Sequence, residues 1–506
     1  MLRYSFLPAV LYPVLFLYTY NIGQSSLSSA LKILLLCLIL FSGLFILLKK
    51  MRYTADAASL IVTIIATLLF SYGHIYTCLR NLARHWIALL DLSLKNKILS
   101  GTETFFHIIL CTVFIGMIIF ICRSLRRGKV TVTKKTLSAL SAIFISLILL
   151  TGFNLLKSVK IYAGFKPQIH SLTDSISRDT PQLGPDIYYI ILDGFTRPDV
   201  MKNLYKTDLE DFIDPLREMG FYIADKSHSN YSETILSLSS SLNMNYLDLF
   251  EDPVLKYKRN TEMIRNNEVI RFLKQRGYQY VHVSSVWSPT LTNPNSDIEV
   301  SYPKWVVSDE FFRTFFSTTW LRIFDFLMGA GVAKVHLYNF AQLEKIAESS
   351  SSPKFVFAHF VLPHSPYVFD RNGKIKSEIN MVNIWEKENN IWNDAEGYRD
   401  QVLFTSKMTL LSIIGILQNS KNPPVIIIQG DHGTNLVYSD SEKLPFRDKA
   451  IYVRHAILNA YLFPDQNYSE LYPDISPVNS FRIIFNHFFG TDFEILPDTV
   501  HYTSLD

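Results

Sequence analysis

The apolar residues of this 506-residue chain are unevenly placed, and that distribution limits its folds more than any single motif. Everything resembling a lipid-spanning segment lies before about residue 157. A helix needs about 20 apolar residues to cross the hydrocarbon core of a bilayer. Five stretches are read as spans: Ser5–Tyr20, Ala30–Leu48, Ala57–Leu79, Thr104–Cys122 and Leu137–Leu155. The first carries Pro8 and Pro13, but no small-residue cleavage site follows it, so it reads as a span rather than a signal peptide. The chain therefore divides into a transmembrane region of five helices over 1–157, a polar juxtamembrane linker over 158–185 and a globular domain over 186–506.

Basic residues in the short loops orient the spans. Lys49, Lys50 and Arg52 lie between spans two and three, and Arg123, Arg126, Arg127, Lys129, Lys134 and Lys135 lie between four and five. The alternate loops hold fewer, which places the N-terminus in the cytoplasm and the large C-terminal domain outside. Residues 1–157 carry a net charge of +13 and the rest −9, so the overall +4 conceals a basic membrane half and a mildly acidic outer domain. An acidic domain is a poor partner for nucleic acid. All four cysteines (Cys37, Cys78, Cys111, Cys122) lie in or beside the spans. That excludes a cysteine nucleophile, a zinc–thiolate site or a disulfide framework in the outer domain. Arg84–Leu92, between spans three and four, has an apolar stripe, basic residues and Trp86. It reads equally as an interfacial helix that could present a lipid substrate or as a continuation of span three.

In the outer domain, strand-like runs at Asp186–Leu192, Tyr278–Val283, Phe355–Leu362, Val425–Ile428 and Ala456–Phe463 alternate with helical patterns at Val200–Met219, Glu262–Arg276 and Tyr398–Gln418. Alternation of this kind predicts a doubly wound, mostly parallel α/β sheet. Two of the runs end in polar motifs: Leu192 leads into Asp193-Gly194, and Gly430 leads into Asp431-His432-Gly433. Residues just past the carboxyl ends of buried parallel strands face the functional crevice, so two carboxylates and an imidazole there make a cation site. The hydroxyl-rich segment Ser229–Asn243 contains Thr234 just before a helix-like run. Thr234 is then placed at a helix N-terminus, which favours anions such as phosphate; the plainer alternative is that these hydroxyls only cap the helix.

The order Asp193-Gly194, Thr234-Ile235-Leu236-Ser237, His364 and Gly430-Asp431-His432-Gly433 resembles the alkaline phosphatase superfamily. More narrowly it is similar to the sulfatase-like branch of lipoteichoic acid synthases and lipid A phosphoethanolamine transferases, which also join five spans to one extracytoplasmic α/β domain. The resemblance implies that Asp193, Asp431 and His432 are metal ligands and that Thr234 is a metal-bound nucleophile. His364 would contact the transferred group or protonate the leaving oxygen. It further implies one divalent ion (zinc or manganese, with magnesium as an alternative), a membrane phospholipid donor, and an envelope glycan or lipid acceptor. The location it implies is the bacterial cytoplasmic membrane, multi-pass, with the catalytic domain outside. His359 reads as a core histidine rather than a ligand; His455, His228 and Arg197 have weaker claims on the site. Three departures qualify the resemblance. Asp193 stands where those transferases usually carry Glu. Thr234-Ile235-Leu236-Ser237-Leu238 lacks the Pro and Arg that formylglycine sulfatases need, and the outer domain lacks the disulfides of phosphoethanolamine transferases. The function expected is transfer of a phosphoethanolamine- or phosphoglycerol-type headgroup. The alternatives are a phosphodiester or sulfate ester hydrolase using the same site, or a non-catalytic membrane interaction protein.

Overall fold

The computed structural model describes residues 4–22, 25–87, 92–164, 184–248, 252–303, 310–349, 353–376, 394–434 and 451–501. The chain forms two compact units: Met1–Gly164 with Ser308–Met328, and Phe165–Val307 with Gly329–Asp506.

The first unit contains helices at Phe6–Tyr20 (α1), Leu27–Lys50 (α2), Ala55–Ile87 (α3), Leu92–Arg126 (α4) and Lys134–Gly164 (α5). Ser26 starts α2 by accepting the Ser29 N–H, and Lys49 and Lys50 sit in its last turn, where cations complement the helix dipole. The segments Leu27–Lys50, Ala55–Ala83, Phe105–Arg126 and Lys134–Lys160 are long and apolar enough to cross a membrane. At 15 residues α1 is shorter, about 22 Å against a hydrocarbon core of about 30 Å. It buries Phe6, Val10 and Val14 against side chains that include Phe41 and Phe45 of α2. Residues Arg84–Ile87 continue α3, while 88–91 lie outside the described residues. Most of the linker read from the sequence also lies outside them, and its first residues continue α5 as far as Gly164.

The globular domain expected over 186–506 includes Ser308–Met328; the structure groups this segment with the membrane helices. The physical reason is an i, i+4 apolar pair on the Glu310–Thr318 helix: Phe311 and Phe315 bury themselves in the α1–α3 cluster. The fit is close. A Cβ on Gly73 of α3 would stand 2.4 Å from the Ser317 carbonyl oxygen. Beyond this helix, Arg322 donates to Thr77 Oγ1 at 3.0 Å and lies 4.4 Å from the Tyr76 ring centroid.

In the second unit, strands β1 (Ile187–Leu192), β2 (Tyr222–Ile223), β3 (Gln279–Val283), β4 (Ile298–Val300), β5 (Lys354–Phe360), β6 (Val425–Gly430) and β7 (Asn459–Leu462) form one sheet in the order β2-β7-β6-β1-β5-β3-β4. Pairings from β6 across to β4 are all parallel, while β7 runs antiparallel to β6 and β2 antiparallel to β7. Every residue of β1, β5 and β6 is buried, which is why these strands read as unbroken apolar runs rather than alternating ones. The helical stretch expected over Val200–Met219 is two helices, Pro198–Tyr205 and Glu210–Glu218, parted at Lys206 in the left-handed region. The Ala395–Asn419 helix also has the length and apolarity of a span. However, it buries Tyr398, Val402, Phe404, Ile413 and Ile416 within the second unit, so it is a core helix of this domain.

The register brings Leu192 of β1 beside both Gly430 of β6 and Phe360 of β5. Asp193 continues β1 by donating its N–H to the Phe360 carbonyl at 2.9 Å. Gly430 must be glycine here, because an added Cβ would stand 2.4 Å from the Phe195 carbonyl oxygen, a backbone atom that cannot rotate away. Gly430→Ala should therefore cost about 1–3 kcal/mol, read as a lower midpoint in thermal unfolding of the full-length protein.

Candidate active site and metal centre

Two strand ends and one helix end deliver the polar groups. Asp193 follows β1, Asp431 and His432 follow β6, and Thr234 is the first residue of the Thr234–Asn243 helix. That helix is pinned to the end of β6 and to the neighbouring Pro253–Arg265 helix by its own small polar residues. Ser237 donates to the Asp431 carbonyl at 2.6 Å, Ser239 bonds the Asn260 carbonyl at 3.0 Å and Asn243 bonds the Met263 carbonyl at 3.0 Å. Its serines are thus buried and used internally, not merely solvating a helix start.

Asp193, Asp431 and His432 each offer a ligand atom within 4.8 Å of the others, and all three residues are buried. His432 Nε2 stands 3.5 Å from Asp193 Oδ1 and 3.5 Å from Asp431 Oδ2. Thr234 Oγ1 stands 3.1 Å from the same nitrogen. Ligand atoms about 2.1 Å from one tetrahedral ion are about 3.4 Å apart, so the spacing fits a shared cation. The proton positions point the same way. His432 Nδ1 faces the Gly433 carbonyl at 2.9 Å, and an oxygen there can only accept. Nδ1 therefore holds the hydrogen, and Nε2 presents its lone pair to two carboxylate oxygens. Asp193 Oδ1 and Asp431 Oδ2 have no hydrogen-bond partner among the described residues. Three electron-rich atoms converging in a buried site repel unless a cation lies between them. Oxygen and imidazole donors suit zinc or manganese, and magnesium less well.

The carboxylates are electrostatically unlike. Burial pushes the Asp431 carboxyl up, and the neighbouring Asp193 charge pushes it further; Gly194 N–H donates to Asp431 Oδ1 at 2.9 Å and opposes this only in part. Burial also raises Asp193, but His364 and His359 outweigh it and hold that carboxyl well below the usual range. Burial, then the Arg454 guanidinium, keep His432 neutral, the form that binds metal.

Around this centre the other residues singled out from the sequence separate clearly. His364 is half-buried; its N–H donates to the Asp193 carbonyl at 2.9 Å and its ring centroid lies 6.2 Å from that of His432. The structure therefore brings His364 to the cluster along with Asp193, Thr234, Asp431 and His432. His359 is buried, as a core histidine would be, yet its Nε2 stands 3.5 Å from Asp193 Oδ2 while Nδ1 is bonded to Thr290 Oγ1 at 2.8 Å. His455 instead bonds the Ser229 carbonyl at 2.9 Å. His228 donates to the Asp498 carbonyl, and Arg197 pairs with Asp199 and bonds the Ser227 carbonyl. These last three sit in local structural contacts.

Arg454 went unremarked in the sequence because it lies far from every motif. Its guanidinium donates to the Gly433 carbonyl at 3.0 Å, the same oxygen that fixes His432, and Gly433 N–H donates to the Arg454 carbonyl. A Cβ on Gly433 would stand 2.4 Å from the Val453 carbonyl oxygen. The one available signal was the glycine after His432, which marks a close backbone approach.

No protein-family model matches the sequence, and no curated protein matches it. Solved structures to which the chain is similar include the C-terminal periplasmic domain of EcEptC from Escherichia coli in complex with Zn. That match has 12% identity and a TM-score of 0.40, and covers 61% of this chain and 85% of that one. Another is the integral membrane lipooligosaccharide phosphoethanolamine transferase A (EptA) from Neisseria meningitidis, at 11% identity, TM-score 0.41 and 95% of each chain. A third is the lipoteichoic acid synthase LtaP from Listeria monocytogenes, at 13% identity, TM-score 0.39, covering 65% of this chain and 77% of that one.

If two crowded carboxylates are tolerated only for a cation, Asp431→Asn should raise the melting temperature of the metal-free protein. The same variant should lose the further rise that Mn²⁺ or Zn²⁺ gives the wild type. Thermal unfolding with and without a chelator checks both halves.

Proposed function

We propose that this chain is a membrane-anchored, metal-dependent phosphotransferase of the sulfatase-like branch of the alkaline phosphatase superfamily. Its reaction is transfer of a phospholipid-derived headgroup to an envelope glycan or lipid, with the domain that does it outside the cytoplasmic membrane. The observation that carries the reading is Thr234 Oγ1, at a helix N-terminus, 3.1 Å from the lone-pair nitrogen of His432 beside Asp193 and Asp431. A hydroxyl is a weak nucleophile at neutral pH and needs an activating neighbour.

Asp193, Asp431, His432 and Thr234 would hold one divalent ion, zinc or manganese by donor type. Bound there, such an ion lowers the pKa of a hydroxyl and neutralises charge on phosphoryl oxygens. Thr234 Oγ gives up its proton to solvent and forms a bond to phosphorus as the bond to the diacylglycerol oxygen breaks. His364 gives a proton to that leaving oxygen, which departs as a hydroxyl. In the second step the acceptor hydroxyl attacks the phospho-threonine from the opposite face and passes its proton back to His364. The phosphorus–Oγ bond breaks, Thr234 Oγ takes back a proton from solvent, and the site returns to its starting state. The open N-terminal turn of the Thr234–Asn243 helix supports the phosphoryl oxygens throughout.

In cells or membranes carrying the protein, wild type should convert phospholipid to diacylglycerol. Thr234→Ala should lower that rate by at least about a hundredfold, with unchanged abundance in the membrane. His364→Ala should lower it by about 10²–10⁴-fold. Lipid mass spectrometry reads both, and full activity in Thr234→Ala would contradict the nucleophile assignment.

A further inference from the structure

One stretch of chain in the membrane unit is not a span. Ser308–Met328 groups with α1–α5, although the chain on either side of it belongs to the second unit. Its contacts follow the membrane helices in order. Phe311 lies 6.5 Å from Tyr18, near the end of α1, and the Phe315 ring lies 6.0 Å from that of Phe70 in α3. The Ser317 carbonyl then stands against Gly73, and Arg322 reaches Tyr76 and Thr77. Phe70 to Thr77 is about 10 Å along a helix. The segment therefore goes in as far as Phe70 and returns toward the end of α3. On α4, Trp320 Nε1 donates to Cys111 Sγ at 3.3 Å, and the Trp320 ring lies 6.4 Å from that of Phe114. Those two residues stand about 9 Å and about 14 Å along α4 from Phe105, where its apolar stretch begins.

Hydrogen bonds along the segment close on itself and on the helices. Ser317 Oγ and Thr318 Oγ1 both donate to the Thr314 carbonyl, at 3.1 and 2.8 Å, and Thr319 Oγ1 donates to the Phe316 carbonyl at 3.2 Å. Past Thr319 the backbone winds into a 3₁₀ helix, Trp320–Phe324. There the Leu321 N–H donates to Thr319 Oγ1 at 3.4 Å and the Arg322 N–H to the Thr319 carbonyl at 3.1 Å. Arg322 is 4% exposed, with its charge against the Tyr76 ring and Thr77. Arg313, in the first turn of the Glu310–Thr318 helix, has a stem long enough to carry its charge toward lipid headgroups. Water meets polar groups readily, whereas a hydrocarbon surround favours segments whose polar groups are met within the protein and whose charges face the bundle.

Large apolar side chains face outward from the segment. Phe312 is 36% exposed, Phe324 44% and Leu327 57%, against 61% for Leu35 and 55% for Leu36 on the outside of α2. Phe316 lies beside Phe312, with ring centroids 5.9 Å apart. Single exposed apolar residues need no explanation. These, however, sit on chain packed within the apolar lengths of α3 and α4, so they continue the surface that the spans present to lipid. We propose that Ser308–Met328 is a re-entrant membrane segment, and that Phe312, Phe316, Phe324 and Leu327 meet the acyl chains of the bilayer. The segment gives the globular unit an attachment to the membrane besides α5, whatever reaction its active site performs.

The test is photolabelling of the full-length protein in nanodiscs of dioleoylphosphatidylcholine. One preparation carries a trace of the same lipid with a diazirine at the middle of an acyl chain, and the other a trace with the diazirine on the headgroup. Peptide mass spectrometry maps the adducts. Leu35 and Leu36 of α2 serve as the lipid-facing reference, and Ile298, 39% exposed on β4 of the second unit, as the water-facing one. Mid-chain adducts are expected on Phe312, Phe316, Phe324 or Leu327, within about threefold of the yield on α2 and at least about tenfold above that on Ile298. Mid-chain labelling of α2 with none on the segment overturns the proposal, because the segment is then shielded from lipid or faces water. Adducts from the headgroup probe alone overturn it as well, since they place the segment on the membrane surface rather than within it.

Discussion

Two carboxylates are held side by side in the interior of the sheet, and the rest of the second unit is organised around that arrangement. Adjacent parallel strands in matched register put Asp193 and Asp431 at neighbouring ends, one residue past Leu192 and Gly430. Separately, each would be an ordinary strand-end acid at the crevice of an α/β domain. Together, and buried, they repel, which pushes Asp431 up while the histidines around Asp193 hold it down. The structure offsets this with the histidines beside Asp193 and with a fixed dipole beside Asp431. The Gly194 N–H faces Asp431, while the oriented lone pair of His432 faces the gap and leaves it suited to a cation. Arg454 contributes at one remove, through the Gly433 carbonyl. Such a site gains stability and chemistry from the same event, the arrival of a cation.

How the helix carrying Thr234 reaches the centre follows from its composition. A helix of large apolar residues would stand too far from the strand ends, whereas Ser237, Ser239, Ser240 and Ser241 are small and satisfy their hydroxyls at close range. The first turn is thereby held at the end of β6 and Thr234 is placed next to His432. Packing on the opposite end of that helix, through Leu238 and Leu242 in the aromatic core with Phe481 and Phe485, supplies the rigidity that precise placement requires.

What was legible in the sequence and what was not divides along physical lines. β1, β5 and β6 are buried on both faces, so their apolar runs stood out, and the polar residues ending β1 and β6 marked the centre without any structural knowledge. Thr234 and His364 needed the family resemblance, because a threonine in a serine-rich segment and a histidine among prolines have no distinctive local pattern. His359 read as a core histidine from its strand position, and burial agreed. Its approach to Asp193 depends on which strands are neighbours, and no single run of residues encodes that. Arg454 was invisible for the same reason. The misplacement of Ser308–Met328 arose because an amphipathic helix shows that it needs an apolar partner but not which one. Phe311 and Phe315 found theirs among the membrane helices.

The central claim is that Asp193, Asp431 and His432 share one divalent cation with the hydroxyl of Thr234. Diffraction from crystals of the full-length protein grown with Mn²⁺ or Zn²⁺, recorded at the absorption edge of the metal, tests it directly. One strong anomalous peak is expected about 2.0–2.2 Å from an oxygen of each carboxylate, from His432 Nε2 and from Thr234 Oγ1. No peak at that position, or a metal bound elsewhere with Thr234 outside its ligand shell, would contradict it.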